Sequence, residues 1–203
     1  MGDCCQDKAC EIEGLRGRQG AVLKAVLAIN AVMFLVEGGA GLIADSTALL
    51  ADSLDMLGDA LVYALSLYVL SRGARWRAAS ALFKGLIMAL FGFFVLGEAV
   101  YKVLYPVVPA AGMIGAVGVI ALMMNSVCLG LLWRHRGDDI NMNSVWLCSR
   151  NDIIANVSVL AAGAGVWFLS EGWPDIAIGL SIAALFLRSA LFVIQGALRQ
   201  LRA

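Results

Sequence analysis

"LLADSLDMLGDALVYALSLYV", residues 49–69, has the length and the Leu and Val content of a membrane helix, yet it carries Asp52, Asp55 and Asp59. An acid at the centre of a spanning helix costs roughly 2.5–3.5 kcal/mol, so three cost about 7–10 kcal/mol. Each neighbouring Leu, Ile or Val returns only about 0.3–0.6 kcal/mol. The helix inserts with little margin. Acids kept at that expense mark a functional site.

The remainder of the chain is apolar enough for the same reading. Its 203 residues are 61% hydrophobic and 15% charged, and its mean hydropathy is +0.85. This is membrane rather than soluble composition. A formal net charge of zero gives no reason to expect nucleic acid as a partner. The opening "MGDCCQDKACEIEGLRGRQ" is polar, Cys-bearing and mixed in charge, unlike a signal peptide. Apolar stretches at 20–43, 46–70, 80–104, 110–133, 144–169 and 174–197 are each near the ~20 residues that cross a ~30 Å hydrocarbon core. The expected fold is therefore all-α, an integral membrane bundle of six transmembrane helices. Residues 1–19 read as a cytoplasmic Cys-bearing tail and 20–198 as one transmembrane domain.

Charge orients the bundle. Arg16, Arg18 and Lys24 precede the first span, Arg72, Arg75, Arg77 and Lys84 surround the second break, Arg134 and Arg136 mark the fourth, and Arg199 and Arg202 close the chain. The first and fifth breaks lack Lys and Arg, and only Lys102 lies near the third. The excess of Lys and Arg on one side predicts both termini in the cytoplasm. "VEGGAGLIA" (36–44), "AAGAGV" (161–166) and "IAIGLSIAA" (176–184) supply small residues that let helices approach closely.

Asp55 and Asp59 are four apart, so both carboxylates leave one helix face a turn apart, with Asp52 and Asp45 extending that stripe outward. Within the spans only Arg150 and Arg188 stand away from the ends to balance them. A carboxylate without such a partner in low dielectric either takes a proton or binds a cation, and the plainer reading is a structural ion pair or cap. "SVWLCSRNDIIANVSVL" (144–160) holds a second costly cluster, in which Cys148 and Asp152 repeat the four-residue spacing. Two helices each offering such a pair can close four ligands on one ion. Mixed S and O donors suit Zn²⁺ and the softer Cd²⁺ better than Mg²⁺ or Ca²⁺. By itself, Cys148 is as readily a small buried hydrophobe.

At these residues the chain resembles the cation diffusion facilitators, a family of six-helix divalent-metal/proton antiporters, from the first span to the last. "DSTALLADSLDMLGD" (45–59) is similar to the family's helix 2 signature, in which an acid or His stands four residues before an Asp. "SVWLCSRND" (144–152) is similar to its helix 5 signature, usually His-x-x-x-Asp. The resemblance implies that Asp55, Asp59, Cys148 and Asp152 are the metal ligands, Cys148 standing where the family generally has His. Members usually carry a cytoplasmic metal-binding domain after the sixth helix. The chain ends "GALRQLRA", which implies a short form without that C-terminal domain.

Other polar residues carry weaker signals. Cys4, Cys5 and Cys10, beside Asp3, Asp7 and Glu11, suit soft-metal capture or an unused tail, since a reducing cytoplasm disfavours disulfides. His135 sits with Asp138 and Asp139 in "RHRGDDIN", an entry site or a solvated loop. Cys128 and Asn125 read as packing and interhelical hydrogen bonding. Glu37 and Glu98 read as part of an ion or proton path or as structural groups, and Arg150 as a side chain snorkelling to the interface.

The expected function is efflux of Zn²⁺, and also Cd²⁺, in exchange for protons, by a protein that is not an enzyme and carries no prosthetic group. The alternative is a membrane metal sensor or scaffold that binds without transport. A Mg²⁺-dependent phosphoryl- or prenyl-transfer enzyme would need a denser acid cluster near the cytoplasmic face with basic residues for diphosphate. The expected location is the cell membrane, multi-pass, in the bacterial inner membrane, and the expected partners are metal ion, protons, lipid and a second copy held through transmembrane surfaces. Helix 3, with "LFKGLIMALFGFFVLG" (82–97), is the candidate dimer surface because it is apolar, has small residues and lacks ligands.

Overall fold

A computed structural model describes the backbone of residues 3–69, 74–134 and 140–202, and the side chains of 20–61, 63, 64, 82, 83, 85–134, 146, 149, 150 and 152–199. Its elements are α1 (Asp3–Ala44), α2 (Thr47–Val69), α3 (Ala74–Leu104), α4 (Ala111–Trp133), α5 (Ile140–Leu169) and α6 (Trp173–Arg202), with no strand among the described residues. Gly20–Ala44, Gly85–Leu104, Ala111–Trp133, Asp152–Leu169 and Trp173–Arg199 are long and apolar enough to cross a membrane. The 23 residues of α2 are also long enough, and its three aspartates are what lower its apolarity. The protein is an all-helical, multi-pass membrane bundle.

The helices overrun the apolar stretches that seeded them. α3 begins at Ala74 and α5 at Ile140, upstream of 80 and 144, because helical hydrogen bonding propagates into polar sequence without an apolar partner. α1 starts at Asp3, so residues 3–19 run into the first span as one helix.

α1 packs on α2 and α4, and α4 packs on α5, while α3 and α6 form a close pair. α2 is central, touching α3, α5 and α6 as well as α1. Gly92 shows why α3 and α6 approach so closely: a Cβ there would meet Leu187 Cγ at 2.7 Å. Such contact brings backbones within van der Waals range, the main attraction left between helices in lipid. The polarity of the bundle is inverted relative to a soluble domain. Phe168 and Phe192 are 83% and 80% exposed, whereas Asn30, Glu37, Asp52, Asn125 and Asn156 are buried.

The α1–α2, α3–α4 and α5–α6 connections meet at one end. α1 ends with Asp45 in the left-handed region (φ 52°) and Ser46 N–H bonded to Gly41 O at 2.9 Å, a Schellman closure. Ala44 O accepts from Ala110 N at 2.9 Å, and Asp45 O accepts from Lys102 Nζ at 2.7 Å. Asp45 therefore lies in the turn, exposed, and does not extend the acidic face of α2 as its spacing suggested. Ser46 caps α2 by accepting from Leu49 N at 3.1 Å. Buried Asp175, in the first turn of α6, accepts from Ser46 Oγ, Thr47 N and Ala48 N at 2.6, 2.6 and 3.2 Å. A carboxylate there meets the orphan N–H groups and the positive end of the helix dipole.

Candidate metal centre

The four-residue repeat of α2 places Asp55 and Asp59 on one face, and that face turns toward α5 and α6. Both line a cavity of about 310 Å³ with Asp152 of α5, while Met88 and Phe91 of α3 and Ile182, Phe186 and Ser189 of α6 complete much of its wall. At roughly 30 Å³ per water, that volume holds a cation with several of its waters. Tyr63, one turn beyond Asp59, donates its hydroxyl to Asp59 Oδ2 at 3.1 Å and so orients that carboxylate. All three aspartates are half-buried. They lie at the seam where α2 and α5 face the α3–α6 pair.

Cys148 lies on α5 four residues before Asp152, and its side chain is outside the described residues. The side chains of Cys4, Cys5 and Cys10 and all of His135 are outside them too. Among the described residues, no three His, Cys, Asp or Glu groups already converge as a ready cluster. The aspartates thus line one cavity but are not drawn together as a closed coordination shell.

Asp52 is separated from this set. It is 1% exposed and accepts from Asn156 Nδ2 at 2.8 Å, while Asn156 Oδ1 accepts from Asn125 Nδ2 at 2.9 Å. Asn125 thus makes the interhelical bond expected of it. The role of Asn156, whose partner lies 104 residues away, had only its place in the polar run "SRNDIIANVS" as a signal. Glu98 pairs with Lys102 at 3.3 Å, the structural reading. Arg150 is exposed, with its guanidinium carbon 5.7 Å from the Trp146 ring centre, the cation–π contact of an interfacial side chain. Cys128 packs in an apolar cluster with Leu23, Val26, Tyr63 and Leu132.

A multi-pass helical bundle with carboxylates from two helices lining a cavity at depth is the architecture of a membrane cation transporter. The profile of the cation efflux transmembrane domain matches residues 23–201, nearly the whole chain, and the protein belongs to that family. A comparison with curated proteins found no match.

Proposed function

We propose that this cation efflux protein exports a divalent transition metal, Zn²⁺ and also Cd²⁺, in exchange for protons, with Asp55, Asp59, Cys148 and Asp152 as the ligands. The observation that carries this reading is the shared cavity, lined by aspartates from α2 and α5 although 93 residues separate Asp59 from Asp152. Proton exchange follows from the donors. Carboxylate and thiol bind metal only when deprotonated, so proton and metal compete for the same atoms. Rocking of the α3–α6 pair against the other four helices would open the seam to each side in turn, the behaviour expected of a midplane site at a bundle interface.

The protein acts in this reading as a transporter and not an enzyme, with the metal ion as its cargo and no prosthetic group. Both termini face the cytoplasm of a bacterial inner membrane, and the three joined connections face outward. Two copies associate through transmembrane surfaces. On α3, Gly85 and Gly92 are engaged by α6, leaving Phe83, Leu86, Leu90 and Phe93 as the outward face for such a contact.

The test is flux in proteoliposomes holding a metal dye and a pH dye, run over Zn²⁺, Cd²⁺, Co²⁺, Ni²⁺ and Mn²⁺. Metal entry linked to opposite proton movement is the expected outcome. Tight binding without flux would replace this reading with the sensor or scaffold.

A further inference from the structure

Glu37 of α1 is 0% exposed, and neither of its carboxylate oxygens receives a hydrogen bond from any N–H or O–H. An ionised carboxylate so placed forfeits its hydration with no compensating donor, a loss of several kcal/mol. What lies within hydrogen-bonding reach is the carboxyl of Asp52. Two carboxylates have no hydrogen between them. The contact becomes a bond only when one of the two carries a proton and donates it to the other.

The surroundings favour one such proton. Asp52 already accepts from Asn156, which Asn125 holds in place, so its carboxyl keeps a fixed orientation and a donor that tolerates negative charge. Of the other titratable groups, Asp55 bears on Glu37. Asp152 stands one turn from Asn156 on α5. On α3, Lys102 is engaged by Glu98 and by Asp45 O, and on α6 Asp175 is engaged at the start of α2. No described cation is placed to neutralise the pair in place of a proton.

Position gives the pair its use. Asp52 precedes Asp55 by three residues, and Asn156 follows Asp152 by four. Because α2 and α5 are oppositely directed, both steps lead from the metal cavity toward the end where the three connections meet. We propose that Glu37 and Asp52 form a proton-binding site distinct from the metal ligands, sharing one proton a helical turn from the cavity on the side of the joined connections. It rests on the exchange reading only for the use of its proton. A dication entering the cavity from the cytoplasmic side repels that proton to the cytoplasm, and the ion's departure on the side of the joined connections lets another return from there.

The test begins without metal. Infrared spectra of the full chain in lipid at neutral pH should show the carbonyl stretch of a protonated carboxylic acid. Glu37→Gln should remove that band, because its amide supplies the hydrogen that Asp52 needs. Asp52→Asn does the same from the other side and serves if the first variant folds poorly. Zn²⁺ affinity should stay within about threefold in both, and protons moved per metal ion in proteoliposomes should fall. A band that persists in both variants overturns the site. So does a tenfold loss of Zn²⁺ affinity, which would make Glu37 a metal ligand. A lost band with an unchanged proton count overturns the pair's part in exchange. Were the parent to move no metal, the transport reading would fail while the band still decided the proton site.

Discussion

Asp59 and Asp152 line the cavity from different helices, so each is expected to be irreplaceable by its amide. Asp59→Asn and Asp152→Asn should each cut metal flux in proteoliposomes at least tenfold, equivalent to about 1.4 kcal/mol, while the purified proteins remain folded. Near-normal flux in either variant would exclude that residue from the ligand set. Cys148 is expected to decide ion preference, since thiolate is softer than imidazole. Cys148→His should shift competitive transport toward Zn²⁺ over Cd²⁺, and Cys148→Ser should weaken both, measured with the tail cysteines replaced. A Cd²⁺/Zn²⁺ ratio unchanged within about twofold, about 0.4 kcal/mol, would leave Cys148 as packing. The acidic candidates were legible because i, i+4 spacing is a property of one helix. The separation of Asp52 from Asp55 was not, because it depends on Asn156, which only packing brings near.

Among the helices, α2 is held at its start by another element. Asp175→Ala would leave Ser46 Oγ and the N–H groups of Thr47 and Ala48 without their buried acceptor. Loss of a cap plus charge-assisted bonds predicts destabilisation of about 2 kcal/mol or more, with Asp175→Asn milder. Thermal unfolding in detergent measures this, and an unchanged midpoint would show that α2 starts without help from α6. At the α3–α6 seam, Gly92→Leu would drive a side chain into Leu187. Overpacking of this kind costs about 1–3 kcal/mol, and the same unfolding assay should report it. Helix 3 as an apolar, small-residue element was legible from its sequence. That Gly85 and Gly92 serve α6 was not, since a small residue gives no sign of whether its partner lies in the same chain.

For the whole molecule, the proposed exchange predicts a response to pH. Bound metal requires deprotonated carboxylate and thiol, so lowering cytoplasmic pH fills the same atoms with protons and should slow export, and raising it should restore export. Turnover that stays constant between about pH 5.5 and 8 would contradict proton competition at those ligands. Cysteines introduced singly at position 108 and at position 200, labelled from outside intact cells with an impermeant reagent, test the orientation. Labelling at 108 alone is expected; labelling at 200 alone would invert the bundle.

Residue order alone carried the helical class, the number of helices, the approximate spans, and the shared face of Asp55 with Asp59. Those features follow from hydrophobic length and the fixed 3.6-residue turn, which are local. Folding decided which faces meet. It set Asp152 in one cavity with the α2 acids, gave Asp52 to Asn156, left Asp45 in a turn, and set Asp175 on the start of α2. These pairings join side chains far apart in the chain. They arise from the packing of rigid helices, in which small residues permit close approach and buried polar groups settle where a partner waits.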